Sequence, residues 1–168
     1  MKTTVYSADL KTYKLFRPQR LQTDVLILHG SFDIAADSEE IAADRQYVRT
    51  LRINADDIEQ TIDGSPASIL TIEGAKKIQE FIAAAVRDEH DLVVHCHAGQ
   101  SRTGAVIEVA YFGLELPCVH VLKWQSGRKI AEKSEIVTME NFYNLYTPNR
   151  LWHRLFSQLY PVLNHEQE

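Results

Sequence analysis

The residues best equipped for chemistry lie together in the stretch LVVHCHAGQSRTGAV, positions 92–106. A cysteine, Cys96, and an arginine, Arg102, bracket five residues: His97, Ala98, Gly99, Gln100 and Ser101. The apolar run ending at His95 reads as a buried strand, and the run from Thr103 reads as a helix, so Cys96 opens a tight turn between them. A glycine at the middle of that turn lets successive backbone N–H groups point inward, and the helix N-terminus adds its positive dipole end. Such a bowl is built to hold a phosphate. A thiol placed in it gives up its proton more readily than a free one and becomes a nucleophile. Arg102 offers a planar fork that matches two phosphate oxygens and follows them as charge moves into the transition state, which a lysine could not do equally well.

The elements that must position this turn follow from periodicity. Val25 to Leu28 (VLIL), Tyr47 to Ile53 (YVRTLRI) and Leu92 to His95 (LVVH) read as strands, the first and third apolar enough for a sheet covered on both faces. Between the second and third, Ile72, Ala75, Ile78, Ile82, Ala85 and Val86 form one stripe of a helix from Ile72 to Arg87, capped by Thr71. Strand, helix and strand in that order imply parallel pairing. The run Thr103 to Phe112 is apolar nearly all round and so predicts a buried helix, ended by Gly113 and Pro117. Leu116 to Leu122 fits another strand, Lys123 to Lys133 reads as a polar loop, and a last helix is expected from Pro148 to Tyr160. Together these predict an α/β fold: a single domain over 1–168, with a central, mostly parallel sheet flanked by helices.

Composition narrows the partners. The chain has 168 residues, enough for one well-filled core, and a net charge of -5 with no long run of one sign. Nucleic acid and membrane surfaces are therefore not expected partners. Polar residues interrupt the N-terminus too often for a signal peptide, and no stretch reaches membrane-spanning length. Two cysteines do not make a disulfide framework; they point to a reducing, cytoplasmic setting and a thiol kept for chemistry.

The residues HCHAGQSRT, 95–103, resemble the signature of the protein tyrosine phosphatase superfamily: His-Cys, five residues with Gly at the third, then Arg followed by Ser or Thr. The Ser101-Arg102 pair and the chain length look like its compact dual-specificity branch, with the resemblance running from Val25 to Tyr160. It implies a protein tyrosine phosphatase-like fold and a cysteine-dependent phosphatase acting on phosphotyrosine, or also phosphoserine and phosphothreonine, without a cofactor or metal. In it Cys96 forms a phosphocysteine, the backbone from His97 to Arg102 holds the phosphate, Thr103 assists breakdown of the intermediate, and His95 helps set the ionisation of the thiol. The family also uses an upstream Asp as general acid, which in LRINADDIEQ falls on Asp57 with Asp56 as the alternative. The separation from Asp57 to Cys96 is longer than in compact members, with the extra residues placed in EQTIDGSPAS. Asn149, in YTPNRLWHRLF, matches an Asn that supports the phosphate loop.

Other readings stand beside this one. A catalytically inactive module would keep the bowl and bind phosphorylated partners without turnover. The same chemistry could act on a phosphoinositide or an RNA 5'-triphosphate. His95, Cys96, His97, Cys118 and His120 lack the paired spacings of structural zinc. Cys118, in LPCVHVL, reads as core packing before it reads as a resolving thiol. Lys123, Arg128 and Lys129 read as a solvated loop before an acidic-substrate patch. His29, His90 and His153 carry no assigned role.

Overall fold

A computed structural model describes residues 2–31, 33, 35–59 and 68–167. Strands β1 (Val5–Ala8), β2 (Thr23–His29), β3 (Thr50–Asn54), β4 (Asp91–His95), β5 (Cys118–Ser126) and β6 (Lys129–Ile136) form one sheet. Its order is β3-β2-β4-β1-β5-β6, with the first five strands parallel and β6 antiparallel on β5. The expected strand-helix-strand unit is present, yet β3 and β4 do not pair with each other, because β2 lies between them and pairs with both. The second predicted strand is also shorter, starting at Thr50 rather than Tyr47.

Helices cover both faces. On one lie α3 (Ile72–Arg87), α4 (Arg102–Glu108) and α6 (Arg150–Leu159), with the short α5 (Phe142–Leu145) beside them. On the other lie α1 (Leu10–Leu15) and α2 (Ser38–Asp44). Helix α3 has the predicted bounds, and the Thr71 hydroxyl accepts from Gly74 N–H at 3.1 Å as its cap. The buried helix after the phosphate turn starts at Arg102 and passes at Val109–Gly113 into a wider π turn. Helix α6 starts at Arg150, so Pro148 precedes the cap rather than occupying the first turn.

Two departures matter for the site. β1, too short and polar to read as a strand, sits at the centre of the sheet between β4 and β5. The segment expected as a polar loop, Lys123 to Lys133, is instead most of a hairpin: β5 runs on to Ser126, and β6 pairs back from Ser126↔Lys129 to Val119↔Ile136. A two-residue turn joins them, with Gly127 first and at φ 62°, the glycine position of a II′ hairpin turn. The extra residues expected in EQTIDGSPAS fall largely at 60–67, outside the described residues. Their flanks meet, since Asp56 N–H donates to the Ser68 carbonyl at 2.7 Å and Ser68 N–H to Asp56 Oδ2 at 2.8 Å.

Chain direction reverses outward from β4 and β1, with β2 and β3 to one side and β5 and β6 to the other. In an open parallel sheet the crevice at the C-terminal strand ends, at such a switch point, is where ligands bind. Cys96 follows the last residue of β4, at that crevice.

Candidate active site

The turn from Cys96 to Ser101 is held at three points by backbone. Leu10 N–H, at the start of α1, donates to His97 O at 3.1 Å; Thr147 N–H donates to Gln100 O at 3.1 Å; and Asn149 N–H donates to Ser101 O at 3.1 Å. Gly99 has φ 72°, and a Cβ there would stand 2.8 Å from the Asp9 nitrogen. Glycine is thus required twice over, by conformation and by the approach of α1. The Cys96 side chain is buried, and Gly99 N–H donates to its sulfur at 3.2 Å. The nest expected from sequence therefore has at least one N–H turned inward onto the thiol.

Arg102 opens α4 and is 4% exposed. One terminal nitrogen donates to Asp33 Oδ2 at 2.8 Å and to Ala55 O at 3.1 Å; the other donates to Asp33 Oδ1 at 3.2 Å. Nε has no partner. A guanidinium has five N–H donors. Three are taken, and the two that remain, on Nε and the second terminal nitrogen, form one adjacent edge. That edge is the bidentate fork a phosphate needs. Burial by itself would weaken Arg102's hold on its proton, but the Asp33 bond and the nearby charges of Cys96, Asp33 and Asp57 outweigh it, so the guanidinium stays charged. Burial likewise favours the neutral form of Asp33, and the bonds from Arg102 and from Gly30 N–H overturn that, holding its carboxyl below the usual range.

Asp33 was missed in the sequence. The available signal was its place just past β2, at the same C-terminal edge. Asp33, Glu40, His95 and Cys96 are among the residues that line a cavity of about 10 Å³.

The two candidate acids are separated by their surroundings. Asp56 is buried, its carboxylate engaged by Ser68. Asp57 is exposed, and its Oδ1 accepts from Ser101 Oγ at 2.7 Å and from Asn149 Nδ2 at 2.8 Å. Asn149 does three things at once. Its Oδ1 caps α6 by accepting from Leu151 and Trp152 N–H, its Nδ2 holds Asp57 and Ile58 O, and its backbone holds the phosphate turn.

His95 and Thr103 are buried, and among the described residues neither ring nitrogen of His95 nor the Thr103 hydroxyl has a hydrogen-bond partner. The imidazole stacks on Tyr13 with centroids 3.8 Å apart, while Tyr13 donates its hydroxyl to Asp44 at 2.6 Å. Desolvation pushes His95 down to about 3, so it is neutral at physiological pH and offers Cys96 no charge. Cys118 is level with Leu92 in the sheet, since both pair with Val5. It therefore lies about 13 Å down the strand direction and two strands across from Cys96, beyond disulfide reach. Burial pushes its thiol up to about 12.

Among solved structures, similar folds include Tk-PTP in its active form, at 14% identity over 94% of this chain and 91% of that one, TM-score 0.48. PTPMT1 in complex with PI(5)P is similar at 12% identity over 87% and 81%, TM-score 0.43. No curated protein sequence matches the chain. The sequence profile of the tyrosine phosphatase family does match, over residues 7–121, which takes in the end of β1, all of β2 to β4, the Cys96 turn and the whole of α4. Because that profile spans well over half of the sequence and includes the turn itself, the chain belongs to the tyrosine phosphatase family.

Proposed function

We propose that the chain is one catalytic domain and a cysteine-dependent phosphatase that hydrolyses phosphotyrosine in proteins, and phosphoserine or phosphothreonine where they reach the thiol. The observation that carries this is the division of Arg102's donors: three are spent on Asp33 and Ala55, and among the described residues the pair left over has no acceptor, while the thiol already receives the Gly99 N–H.

The reaction has two displacements. In the first, Cys96 Sγ attacks phosphorus, the bond from phosphorus to the substrate oxygen breaks, and Asp57 gives that oxygen its proton. Backbone N–H groups of His97 to Arg102 and the free edge of Arg102 hold the equatorial oxygens as charge develops. In the second, a water attacks phosphorus, Asp57 as carboxylate takes the proton, and the sulfur–phosphorus bond breaks. Thiolate and inorganic phosphate result. Thr103, in the first turn of α4, assists this second step. Neither displacement uses a metal or cofactor.

The turn residues His97, Ala98, Gln100 and Ser101 supply no lysine or arginine to meet a second phosphate. This favours a singly phosphorylated side chain over a phosphoinositide or triphosphate. No helix among the described residues is long and apolar enough to cross a membrane, in keeping with a cytoplasmic enzyme. The test is hydrolysis of para-nitrophenyl phosphate in EDTA, with and without vanadate, by the protein and by Cys96→Ser. Turnover that vanadate blocks and the variant lacks is expected; turnover retained by Cys96→Ser would remove the nucleophile.

A further inference from the structure

The β5–β6 hairpin is longer than the sheet needs. His120 pairs level with Ser7, and Ser7 level with Val94, so Val121 stands level with His95 and everything from Leu122 to Lys133 lies at or beyond the catalytic edge. At about 3.3 Å per residue, Ser126 stands about 16 Å past the end of β4. The hairpin is a wall beside the bowl, two strands across from Cys96.

Its side chains are sorted by face. Directly opposed residues share a face, so Trp124, Lys129 and Lys133 lie on the same side as Cys118 and His120. Cys118 belongs to the core under α4, and His120 packs on Tyr146, next to the Thr147 that holds the phosphate turn. Trp124 is 48% exposed, and among the described residues the side chains of Arg128, Lys129 and Lys133 have no hydrogen bond or ion pair. The carboxylate on that face, Glu135, accepts from Asn141 near the base of the ribbon. Lysines on an edge strand are commonly explained as protection against edge-to-edge pairing. That accounts for Lys129 and Lys133 on β6. It does not account for an exposed tryptophan on β5 or for Arg128 in the turn.

At the start of α2 the carboxylates are largely spent: Asp33 is paired with Arg102, Asp37 is paired with Lys14 and Glu40 is buried, which leaves Glu39 exposed. An acidic ligand seated at the bowl therefore meets its unpaired counter-charges on the hairpin side. We propose, building on the phosphatase reading above, that this face of the hairpin docks an acidic phosphopeptide. Trp124 packs on its backbone and apolar side chains, while Lys129 and Lys133 meet carboxylates about three to five residues from the phosphorylated residue, the span an extended peptide covers over roughly 10–17 Å. An anionic bilayer fits less well. The apex of the hairpin is Gln125, Ser126, Gly127 and Arg128, with its tryptophan set back on the side.

The test uses three ligands: a phosphotyrosine peptide with glutamates three to five residues away, its glutamine counterpart, and para-nitrophenyl phosphate. Turnover is measured for the protein, for Trp124→Ala and for Lys129→Glu with Lys133→Glu. Peptide binding is measured in parallel by fluorescence anisotropy on Cys96→Ser, alone and combined with the same changes. Expected is about a tenfold preference for the acidic peptide at low salt, from two exposed charge contacts, shrinking as salt rises. Charge reversal should abolish the preference, Trp124→Ala should weaken both peptides severalfold, and para-nitrophenyl phosphate turnover should be unchanged in both variants. Equal affinity for the two peptides, or binding to phosphatidylserine vesicles that charge reversal removes, would overturn the proposal. Absent para-nitrophenyl phosphate turnover by the unmodified protein overturns the phosphatase reading alone, because anisotropy on Cys96→Ser still reports the docking.

Discussion

Asn149 lets the support of the acid be separated from the support of the fold. In Asn149→Ala the α6 cap is lost, worth about 1 kcal/mol. The Nδ2 bond to Ile58 O adds about 1 kcal/mol, and the bond to the exposed Asp57 carboxylate about 0.5 kcal/mol after solvent screening. The total, about 2.5 kcal/mol, should lower the melting temperature by about 5–10 °C for a chain of this size. Asn149→Asp behaves differently. Aspartate caps as well as asparagine and suits a helix N-terminus, so both cap bonds survive. What goes is the donor to Asp57 and to Ile58 O, and a second carboxylate takes its place where the contact to Asp57 is 2.8 Å. By the same accounting the variant loses about 1.5 kcal/mol and should melt about 3–6 °C below the parent, less than Asn149→Ala, yet Asp57 should be pushed off its position. The assay compares kcat/KM for para-nitrophenyl phosphate, whose leaving group needs little protonation, with that for phenyl phosphate, whose leaving group needs it. Asn149→Asp should lose about ten times more rate on phenyl phosphate. Equal slowing of the two substrates by a folded Asn149→Asp would refute the reasoning, by showing that Asp57 is not the acid or is not held by this contact.

Two further outcomes follow from the buried charges. Asp33→Asn leaves Arg102 with one good acceptor in place of two and should destabilise the protein by about 2 kcal/mol at neutral pH in urea titrations. The folded Asp33 pKa is lowered, so its contribution is complete above the ordinary carboxylate pKa of about 4 and is lost as pH falls through the lowered value; the gap between variant and parent should close at strongly acid pH, and an unchanged gap would exclude the ion pair as its source. His95 has a folded pKa near 3 against 6.5 in the open chain, so unfolding takes up a proton below about 6.5. Stability should be level above that pH and fall toward 3, with a shallower fall in His95→Phe, measured by thermal melts at pH 7.5 and 5.

What the sequence made legible was local. The Cys96 to Arg102 turn is contiguous, its glycine requirement is a backbone property, and α3 carries both its stripe and its cap within a few residues of each other. What was hidden depends on neighbours distant in the chain. β1 is only Val5–Ala8, and it is a strand because β4 and β5 pair with it on both sides. The hairpin's exposed faces remove the apolar alternation by which strands are recognised, leaving only the Gly127 turn as a signal. Asp33 has no motif at all; it meets Arg102 from 69 positions away.

The donor accounting at Arg102 also constrains how the acid segment can move. One terminal nitrogen of Arg102 bonds Ala55 O, and the same short segment is held two residues on by Ser101 and Asn149 at Asp57, then by Asn149 at Ile58 O. Glu59 accepts from Arg150 N–H at 3.3 Å, and Ser68 is clasped to Asp56. The proposed acid, Asp57, therefore sits in a segment pinned between the Arg102 guanidinium and Asn149, whose backbone holds the Cys96–Ser101 turn. To protonate a leaving oxygen, Asp57 needs only to exchange the Ser101 hydroxyl for the substrate, a rotation of one side chain. A wide opening of the segment would have to break the Ala55, Asp57 and Ile58 bonds together, at about 1 kcal/mol or more each. The extra length between Asp57 and Cys96 is thus compatible with a fixed acid, because the added chain is closed off at its base instead of being inserted into the hinge.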